Sequence, residues 1–347
     1  MSVSESKLST ISQSASFQMQ EKLDNLSKPI KGLGQLEALA DQLAAIEGRI
    51  DLQTVKRTCL VFVADHGVVQ EAVSATSQEI SNVLADNVAN GYACVNAVAK
   101  SNHCNVEVID VGLFGDSHSP KMIDRKIQRG THNILVKDAM SRQDAVKSIQ
   151  VGYDIAQDAI SKGNQMLLIG EVGLGNTTAS SAIVATMLSL PVDVVVDKGS
   201  DISTKQFEHK KQIIKDVLTN RQPNKADPID VLSKVGGFEI GAKIGVMLAA
   251  AENRIPLFLD GFISDAAALL AEAMYPGIAK HFIASHLSKE KGAAKALDYL
   301  GLKPLLNLGL AVGEGSGAVL ALSLVDVMQS ILTNENTLGD LKFEYEN

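Results

Sequence analysis

The sequence predicts a doubly wound α/β fold built on a mostly parallel sheet. Long alanine-rich stretches with helical periodicity alternate with short apolar runs that are rich in β-branched residues. Such runs are typical of parallel strands covered on both faces, and their alternation with helices is the pattern of a Rossmann-like sheet. The predicted strands lie at residues 59–64, 106–111, 165–169, 192–196 and 255–259.

Both ends of the chain are predicted to form helices. Residues 17–26 and 36–46 precede the first strand, and residues 319–332 form a long apolar helix near the other end. The chain has 347 residues, of which 46% are hydrophobic, so it can bury the core of a large domain. We expect a large α/β domain and a small helical domain drawn from the termini, at residues 31–314 and at residues 1–30 plus 315–347.

Composition argues against several classes of function. The formal net charge is −8, no basic run is present and Trp is absent, so nucleic acid is a poor candidate partner. The three cysteines form no CxxC pair and no zinc-finger spacing, so no metal site is expected. The serine-rich N-terminus lacks the apolar segment of a secretory signal, and apolar runs such as residues 244–251 are too short to span a membrane. We expect a cytoplasmic protein that binds no membrane.

Acidic residues and glycines follow the predicted strands. Asp65, Asp110, Glu171, Asp197 and Asp260 each lie at or just beyond the end of a strand, close to a glycine. Open parallel sheets bind ligands beyond the carboxyl ends of their strands. The sequence therefore predicts a binding crevice at this edge of the sheet.

Two glycine-rich loops are the most informative motifs. Residues 170–178 read GEVGLGNTT and residues 313–317 read GEGSG, and each loop holds one glutamate, Glu171 or Glu314. Glycines let backbone N–H groups approach a ligand closely, and the start of the following helix favours an anion. A carboxylate repels a phosphate, so a glutamate there indicates acid–base chemistry beside the phosphate. The pattern predicts an enzyme that acts on a phosphorylated small molecule.

Each feature also has an ordinary structural explanation. A first-turn glutamate such as Glu314 often complements a helix dipole, and a histidine after a strand, such as His66, is more often structural than catalytic. The Gly236-Gly237 pair fits close helix packing as well as contact to a phosphate, and Lys210 lies in a charged run where a solvated face is the default. Neither loop has the spacing of a dinucleotide fingerprint or a P-loop, which argues against a dehydrogenase and an NTPase.

A series of motifs extends along nearly the whole chain: KPIKGLGQLE (28–37), ADHGVV (64–69), VIDVG (108–112), RGTHN (129–133) with AMS (139–141), GEVGLGNTT (170–178), DVLSKVGGFE (230–239), PLFLDGFI (256–263), SHLSKEKG (285–292) and LGLAVGEGSGA (308–318). In this order they resemble the nicotinate-nucleotide:dimethylbenzimidazole phosphoribosyltransferase family, which makes the lower-ligand nucleotide of cobamides. The resemblance implies transfer of phosphoribosyl from nicotinate mononucleotide to an aromatic nucleophile, giving an α-riboside phosphate and nicotinate. It implies no cofactor, because nicotinate leaves from a pyridinium without a metal.

The resemblance also implies roles for individual residues. Glu314 matches the family's general base, and Glu171 matches its second active-site glutamate. Nicotinate mononucleotide is expected to contact Gly173, Gly175, Asn176, Thr177, Thr178, Gly199, Lys210, Gly313 and Gly315. The acceptor is expected to contact Asp65, His66, Thr76 and Leu84. The resemblance further implies a homodimer, or a heterodimer with a paralogue, in which the small helical domain lies near the partner's active site.

The sequence departs from the family pattern at three places. Asp197 and Asp201 add carboxylates near the expected phosphate site, and Ala311 replaces an arginine that many members carry. Leu84 lies where the distal nitrogen of the base is expected, and an apolar side chain cannot pair a benzimidazole N–H. Leu84 therefore suits a smaller, less polar acceptor such as phenol or a cresol, while the sequence leaves dimethylbenzimidazole, adenine and phenol open as acceptors. The added carboxylates leave open a second hypothesis, a paralogous subunit of a heteromeric enzyme with little or no activity of its own.

Overall fold

A six-stranded sheet forms the centre of the protein, whose computed structural model describes residues 8–199 and 202–341. The strands are β1 Arg57–Ala64, β2 Asn105–Gly112, β3 Ile123–Asp124, β4 Met166–Val172, β5 Leu257–Leu259 and β6 Phe282–Ala284. They all run parallel in the order β3-β2-β1-β4-β5-β6. This order reverses between β1 and β4, which is the topological switch point of a doubly wound sheet. The predicted fold class is confirmed.

Helices cover both faces of the sheet. They are α1 Gln13–Asp24, α2 Gln35–Glu47, α3 Ile80–Asn90, α4 Cys94–Ser101, α5 Arg142–Ser161, α6 Asn176–Leu188, α7 Val192–Val195, α8 Thr204–Arg221, α9 Pro228–Val235, α10 Phe238–Glu252, α11 Phe262–Met274, α12 Lys291–Leu300 and α13 Ser316–Asn334. The predicted helices at both ends of the chain are thus present as α1, α2 and α13.

Alternate residues of the strands supply two separate hydrophobic cores, because successive side chains of a strand point to opposite faces. On β1, Leu60 and Phe62 join the core formed with α5, α6, α10 and α11. Cys59, Val61 and Val63 join the other core, which contains buried residues of α1, α2, α4 and α13. The terminal helices therefore pack on one face of the sheet. The domain division at residues 30 and 315 remains a prediction, and residues 1–7 and 342–347 lie outside the described residues.

One predicted strand is wrong. The apolar run at residues 192–196 forms the short helix α7, which Pro191 precedes as N-cap. α7 packs against α6, α8 and α12 rather than beside another strand. A short apolar run can be buried either as a strand or as a helix, and five residues show too little periodicity to distinguish a strand from a helix.

Helix α13 has an apolar composition that reflects its place in the core. Among the described residues, it is the one helix long and apolar enough to cross a membrane, yet half of its apolar window is buried inside the protein. Val319, Leu322, Val325 and Met328 are buried on its inner face. That spacing is the periodicity of a helix packed along one side.

Candidate active site

A cavity of about 360 Å³ lies beyond the carboxyl ends of β4, β5 and β6. Its walls come from residues 171–177 at the end of β4 and just beyond it, 260–264 after β5 and 286–290 after β6, together with the loop at 310–314. Residues between 73 and 84, from the segment before α3 and from its first turns, close the remaining side. This is the edge of the sheet at which a doubly wound fold binds ligands.

Most of the predicted site residues meet in this cavity. Those lining it are Thr76, Leu84, Glu171, Gly173, Gly175, Asn176, Thr177, Gly199, Gly313 and Glu314. Thr178 is buried inside α6, and Gly315 lies directly behind the lining at the start of α13. Asp65, His66 and Lys210 do not line the cavity.

The two glycine-rich loops lie against each other. A side chain on Gly170 would overlap the carbonyl group of Glu314, and the N–H of Glu314 donates to the carbonyl oxygen of Glu171 at 3.1 Å. Gly313, Glu314 and Gly315 all have positive φ, of 75°, 63° and 94°. This left-handed conformation is easy for glycine but costs about 1–3 kcal/mol at a residue such as glutamate. The surrounding structure therefore holds Glu314 in a conformation that its side chain disfavours.

The Glu314 carboxylate points to the start of α4. Its Oε2 atom accepts a hydrogen bond of 3.1 Å from the N–H of Val95. Partial burial raises the pKa of Glu314, the hydrogen bond from Val95 opposes that rise, and the nearby charge of Asp260 adds to it. A carboxylate with a raised pKa is a stronger base than an exposed one.

Glu171 lies deeper in the same cavity, with 8% of its surface exposed. Its Oε2 atom accepts a hydrogen bond from the side-chain amide of Asn176. Burial raises the pKa of Glu171 to about 7, although the Lys243 ammonium group acts in the opposite direction. Glu171 therefore changes its charge within the physiological pH range.

Lys210 lies behind the cavity wall and is fully buried. Its Nζ atom donates to Thr177 Oγ1 at 3.0 Å and to the carbonyl oxygens of Asp197 and Lys198 at 3.1 and 3.3 Å. Burial lowers the pKa of Lys210 to about 8. The expectation of a solvated face is therefore wrong for Lys210. Its ammonium group and the start of α6 together provide positive charge suited to an anion.

Comparison with known proteins identifies the family. A family model described as phosphoribosyltransferase matches residues 8–340. The chain is 42% identical to nicotinate-nucleotide–dimethylbenzimidazole phosphoribosyltransferase of Halalkalibacterium halodurans, covering 90% of this chain and 87% of the relative. The protein of the same name from Geobacter sulfurreducens is 40% identical, with 96% of each chain covered. The chain belongs to this phosphoribosyltransferase family.

Solved structures give the same assignment. The structure of nicotinate-nucleotide–dimethylbenzimidazole phosphoribosyltransferase from Thermus thermophilus superimposes with a TM-score of 0.90 at 37% identity. The match covers 97% of this chain and all of that chain. The resemblance inferred from the motifs is thus confirmed over the whole fold.

Within this phosphoribosyltransferase, Asp65 and His66 make the contacts of structural residues. His66 Nε2 lies 2.7 Å from Glu239 Oε1, and both side chains are buried. Asp65 Oδ2 accepts a hydrogen bond of 3.0 Å from the N–H of Phe114. A side chain on Gly237 would overlap the His66 ring, so this glycine serves local packing. Contact of Asp65 or His66 with the acceptor remains a prediction.

Asp197, which departs from the family pattern, has a hydrogen-bond partner in its own loop. Its Oδ1 atom accepts a hydrogen bond of 2.8 Å from the N–H of Lys198, while its carbonyl oxygen faces Lys210. Lys210 therefore meets the backbone at this position. Ser200 and Asp201 lie outside the described residues.

Several polar residues of the phosphoribosyltransferase cavity were not assigned a role from the sequence: Lys243, Ser264, His286, Ser288 and Glu290. Lys243 is fully buried on α10, and its Nζ atom donates to Ser264 Oγ at 3.0 Å. A lysine inside an apolar helix is a signal that could have identified it, because an isolated buried charge is costly. Within residues 8–199 and 202–341, no three His, Cys, Asp or Glu side chains are grouped as a metal site.

Proposed function

We propose that this protein transfers the phosphoribosyl group of nicotinate mononucleotide to an aromatic acceptor and releases nicotinate. The observation that carries the proposal is the meeting of Glu171 and Glu314 in one cavity, next to the positive charge of Lys210 and the start of α6. The shared family supports this reaction, since the relatives carry its name at about 40% identity.

In the proposed reaction, the bond from ribose C1′ to the pyridinium nitrogen breaks and a bond from C1′ to the acceptor forms. The pyridinium nitrogen keeps the electron pair, so nicotinate leaves without needing a proton. The acceptor loses a proton, which the Glu314 carboxylate takes up as general base. The Glu171 carboxylate stabilises the positive charge that develops at C1′, because a buried charge acts strongly on a charge that appears in the transition state.

The phosphate of nicotinate mononucleotide is proposed to bind at the start of α6. This helix begins directly after Gly175, which has no side chain to cap the helix N–H groups. Free amides at a helix start bind phosphate well. A side chain on Gly199 would come within 2.6 Å of Thr177 Oγ1 and 2.9 Å of Lys210 Nζ, so glycine leaves room for the hydrogen bond between these two groups.

We further propose that the acceptor is a small, weakly polar molecule such as phenol or a cresol. Leu84 shares the cavity lining with Val73, Ile80, Leu310 and Val312, and none of these side chains can form a hydrogen bond. The ring nitrogen of a benzimidazole that does not bond to C1′ would lose its hydrogen bonds to water without replacement, which lowers selectivity for that base.

The protein is also proposed to form a dimer and to act in the cytoplasm. The family resemblance supports a dimer, either of two identical chains or with a paralogue, that acts in the cytoplasm. Both glutamates are present and meet in one cavity, which favours an active chain over a non-catalytic subunit.

The test is a chromatographic assay of the purified chain with nicotinate mononucleotide and equal amounts of phenol, dimethylbenzimidazole and adenine. We expect Glu314→Gln to lower turnover by roughly 10²- to 10⁴-fold, the usual contribution of a general base, with unchanged nicotinate mononucleotide binding by calorimetry. Glu335→Gln, at the end of α13, is the matched control.

The assay separates the alternatives. A wide preference for dimethylbenzimidazole over phenol would contradict the acceptor proposal alone. No product from any acceptor, despite binding of nicotinate mononucleotide, would contradict an independently active chain and favour a subunit that needs a paralogue.

A further inference from the structure

Asp260, at the end of β5, is bound to the turn that carries Glu314. Its Oδ2 atom accepts a hydrogen bond of 3.1 Å from the N–H of Gly315, and its Oδ1 atom accepts one of 3.0 Å from the N–H of Ala318. Gly315 is the N-cap residue of α13 and offers no capping side chain. Asp260, which lies 55 residues before Gly315, therefore satisfies the Ala318 amide that an N-cap side chain would normally bind, and also the N–H of the N-cap residue itself.

The turn needs such a tether. Glu314 has a φ of 63°, a left-handed conformation that is unfavourable for glutamate. The N–H of Glu314 is held by the carbonyl oxygen of Glu171, and the next N–H, that of Gly315, is held by Asp260. These two hydrogen bonds fix the backbone on both sides of the Glu314 side chain.

The His286 ring lies beside the Asp260 carboxylate. His286 Nε2 lies 3.5 Å from Asp260 Oδ1, and both side chains are buried. A side chain on Gly317 would overlap the His286 ring, and one on Gly261 would come within 3.2 Å of it. The two glycines thus make room for the ring beside the carboxylate.

We propose that Asp260 is a positioning residue for Glu314, because its carboxylate holds the Gly313–Gly315 turn and keeps the Glu314 carboxylate at the cavity. The catalytic consequence rests on the proposed function of Glu314 as general base. The holding of the turn is a separate property that is measurable without activity.

Asp260 also acts on Glu314 through its charge, which raises the pKa of Glu314. Removing that negative charge makes ionisation of Glu314 easier, so the acidic limb of the rate profile is expected to move to lower pH. The N–H groups of Cys94 and Val95 on α4 act in the opposite direction and lower the pKa of Glu314. The titratable groups that face Asp260 come from several elements: Cys59 on β1, Glu171 on β4, Lys243 on α10, Asp265 on α11 and His286 after β6.

The first test is Asp260→Asn, which keeps the size of the side chain and one acceptor oxygen. We expect kcat to fall by roughly 100-fold, the effect of displacing a catalytic group by about 1 Å, with the KM for nicotinate mononucleotide nearly unchanged. In the pH profile of kcat, the acidic limb should move to lower pH, and a purely structural defect would not produce this shift. Asp265→Asn is the control. Asp265 is a buried neighbour of Asp260, and burial raises its pKa far above the usual range. An amide therefore resembles the protonated form of Asp265.

The second test is hydrogen exchange of the Gly315 and Ala318 amides in the folded protein. We expect at least tenfold faster exchange in Asp260→Ala than in the wild type. Should the Asp260 variants fail to fold, His286→Asn leaves the carboxylate in place and is expected to speed exchange of the same two amides by a smaller factor than Asp260→Ala.

The two readouts separate this inference from the proposed function. A wild-type chain with no transferase activity would remove the catalytic part, while amide exchange would still decide whether Asp260 holds the turn. Wild-type kcat, an unmoved acidic limb and unchanged exchange in Asp260→Asn would overturn the inference.

Discussion

Glu171 shows how a buried carboxylate in the cavity can work against the stability of its own fold. Burial raises its pKa from the ordinary value of 4.5 to about 7. Between these two values the native protein binds a proton that the unfolded chain does not, so the free energy of unfolding falls as the pH rises from about 4.5 to about 7. Above this range the folded protein carries a buried carboxylate at a cost.

Replacing this carboxylate should therefore stabilise the protein. We expect Glu171→Gln to raise the free energy of unfolding by about 1–3 kcal/mol at pH 8, since each pKa unit corresponds to about 1.4 kcal/mol. The difference should disappear below pH 4.5, where both states are protonated. Urea unfolding at pH 4, 6 and 8 measures it, with Glu335→Gln as the control. A pH-independent difference would show that the charge is not responsible, and transferase activity should fall in the same variant.

At the scale of elements, glycine allows α5 and α10 to pack closely. Side chains on Gly152, Gly241 or Gly245 would overlap atoms of the facing helix, including backbone carbonyl groups. The glycines inside α10 are thus explained by helix packing.

Gly152→Ala tests this packing, because propensity and sterics predict opposite signs. Alanine in an exposed helix is about 1 kcal/mol better than glycine. At Gly152 the new methyl group would overlap the Ala242 backbone, so we expect a loss of about 1–3 kcal/mol from overpacking. Urea unfolding measures the loss, and Lys147→Ala on the exposed face of α5 should change stability by less than about 0.5 kcal/mol. A stabilised Gly152→Ala variant would show that the helices can separate freely.

The sequence was sufficient for elements and site residues whose signal is local. The runs that became β1, β2, β4 and β5 were recognisable because strands buried on both faces are continuously apolar. The two glycine-rich loops were recognisable because each is continuous in the chain. Lys243 and His286 were not assigned to the cavity, since their places depend on how α10 and the end of β6 pack around it. Likewise, the capping of α13 by Asp260 spans 55 residues and leaves no local pattern.

At the scale of the whole molecule, a chain with a formal net charge of −8 keeps one ammonium group buried behind the cavity wall. Among residues 8–199 and 202–341, Lys210 donates to the oxygen atoms of one hydroxyl and two carbonyl groups. Its pKa is lowered to about 8 by burial, so below that pH the folded protein bears the cost of the charge. An anionic ligand would relieve that cost, so we expect ligand binding to stabilise the fold.

Lys210→Met tests the coupling in one experiment. A folded-state pKa below the unfolded value destabilises the protein at neutral pH, so the variant without ligand should be at least as stable as the wild type at pH 7. Nicotinate mononucleotide at about 100 times its Kd should stabilise the wild type by about 2.7 kcal/mol and the variant far less. Urea unfolding with and without the ligand measures both, and Lys215→Met, half-exposed on the same helix, should respond like the wild type. An equal ligand effect in Lys210→Met would place the phosphate elsewhere and leave the buried ammonium group without a ligand role.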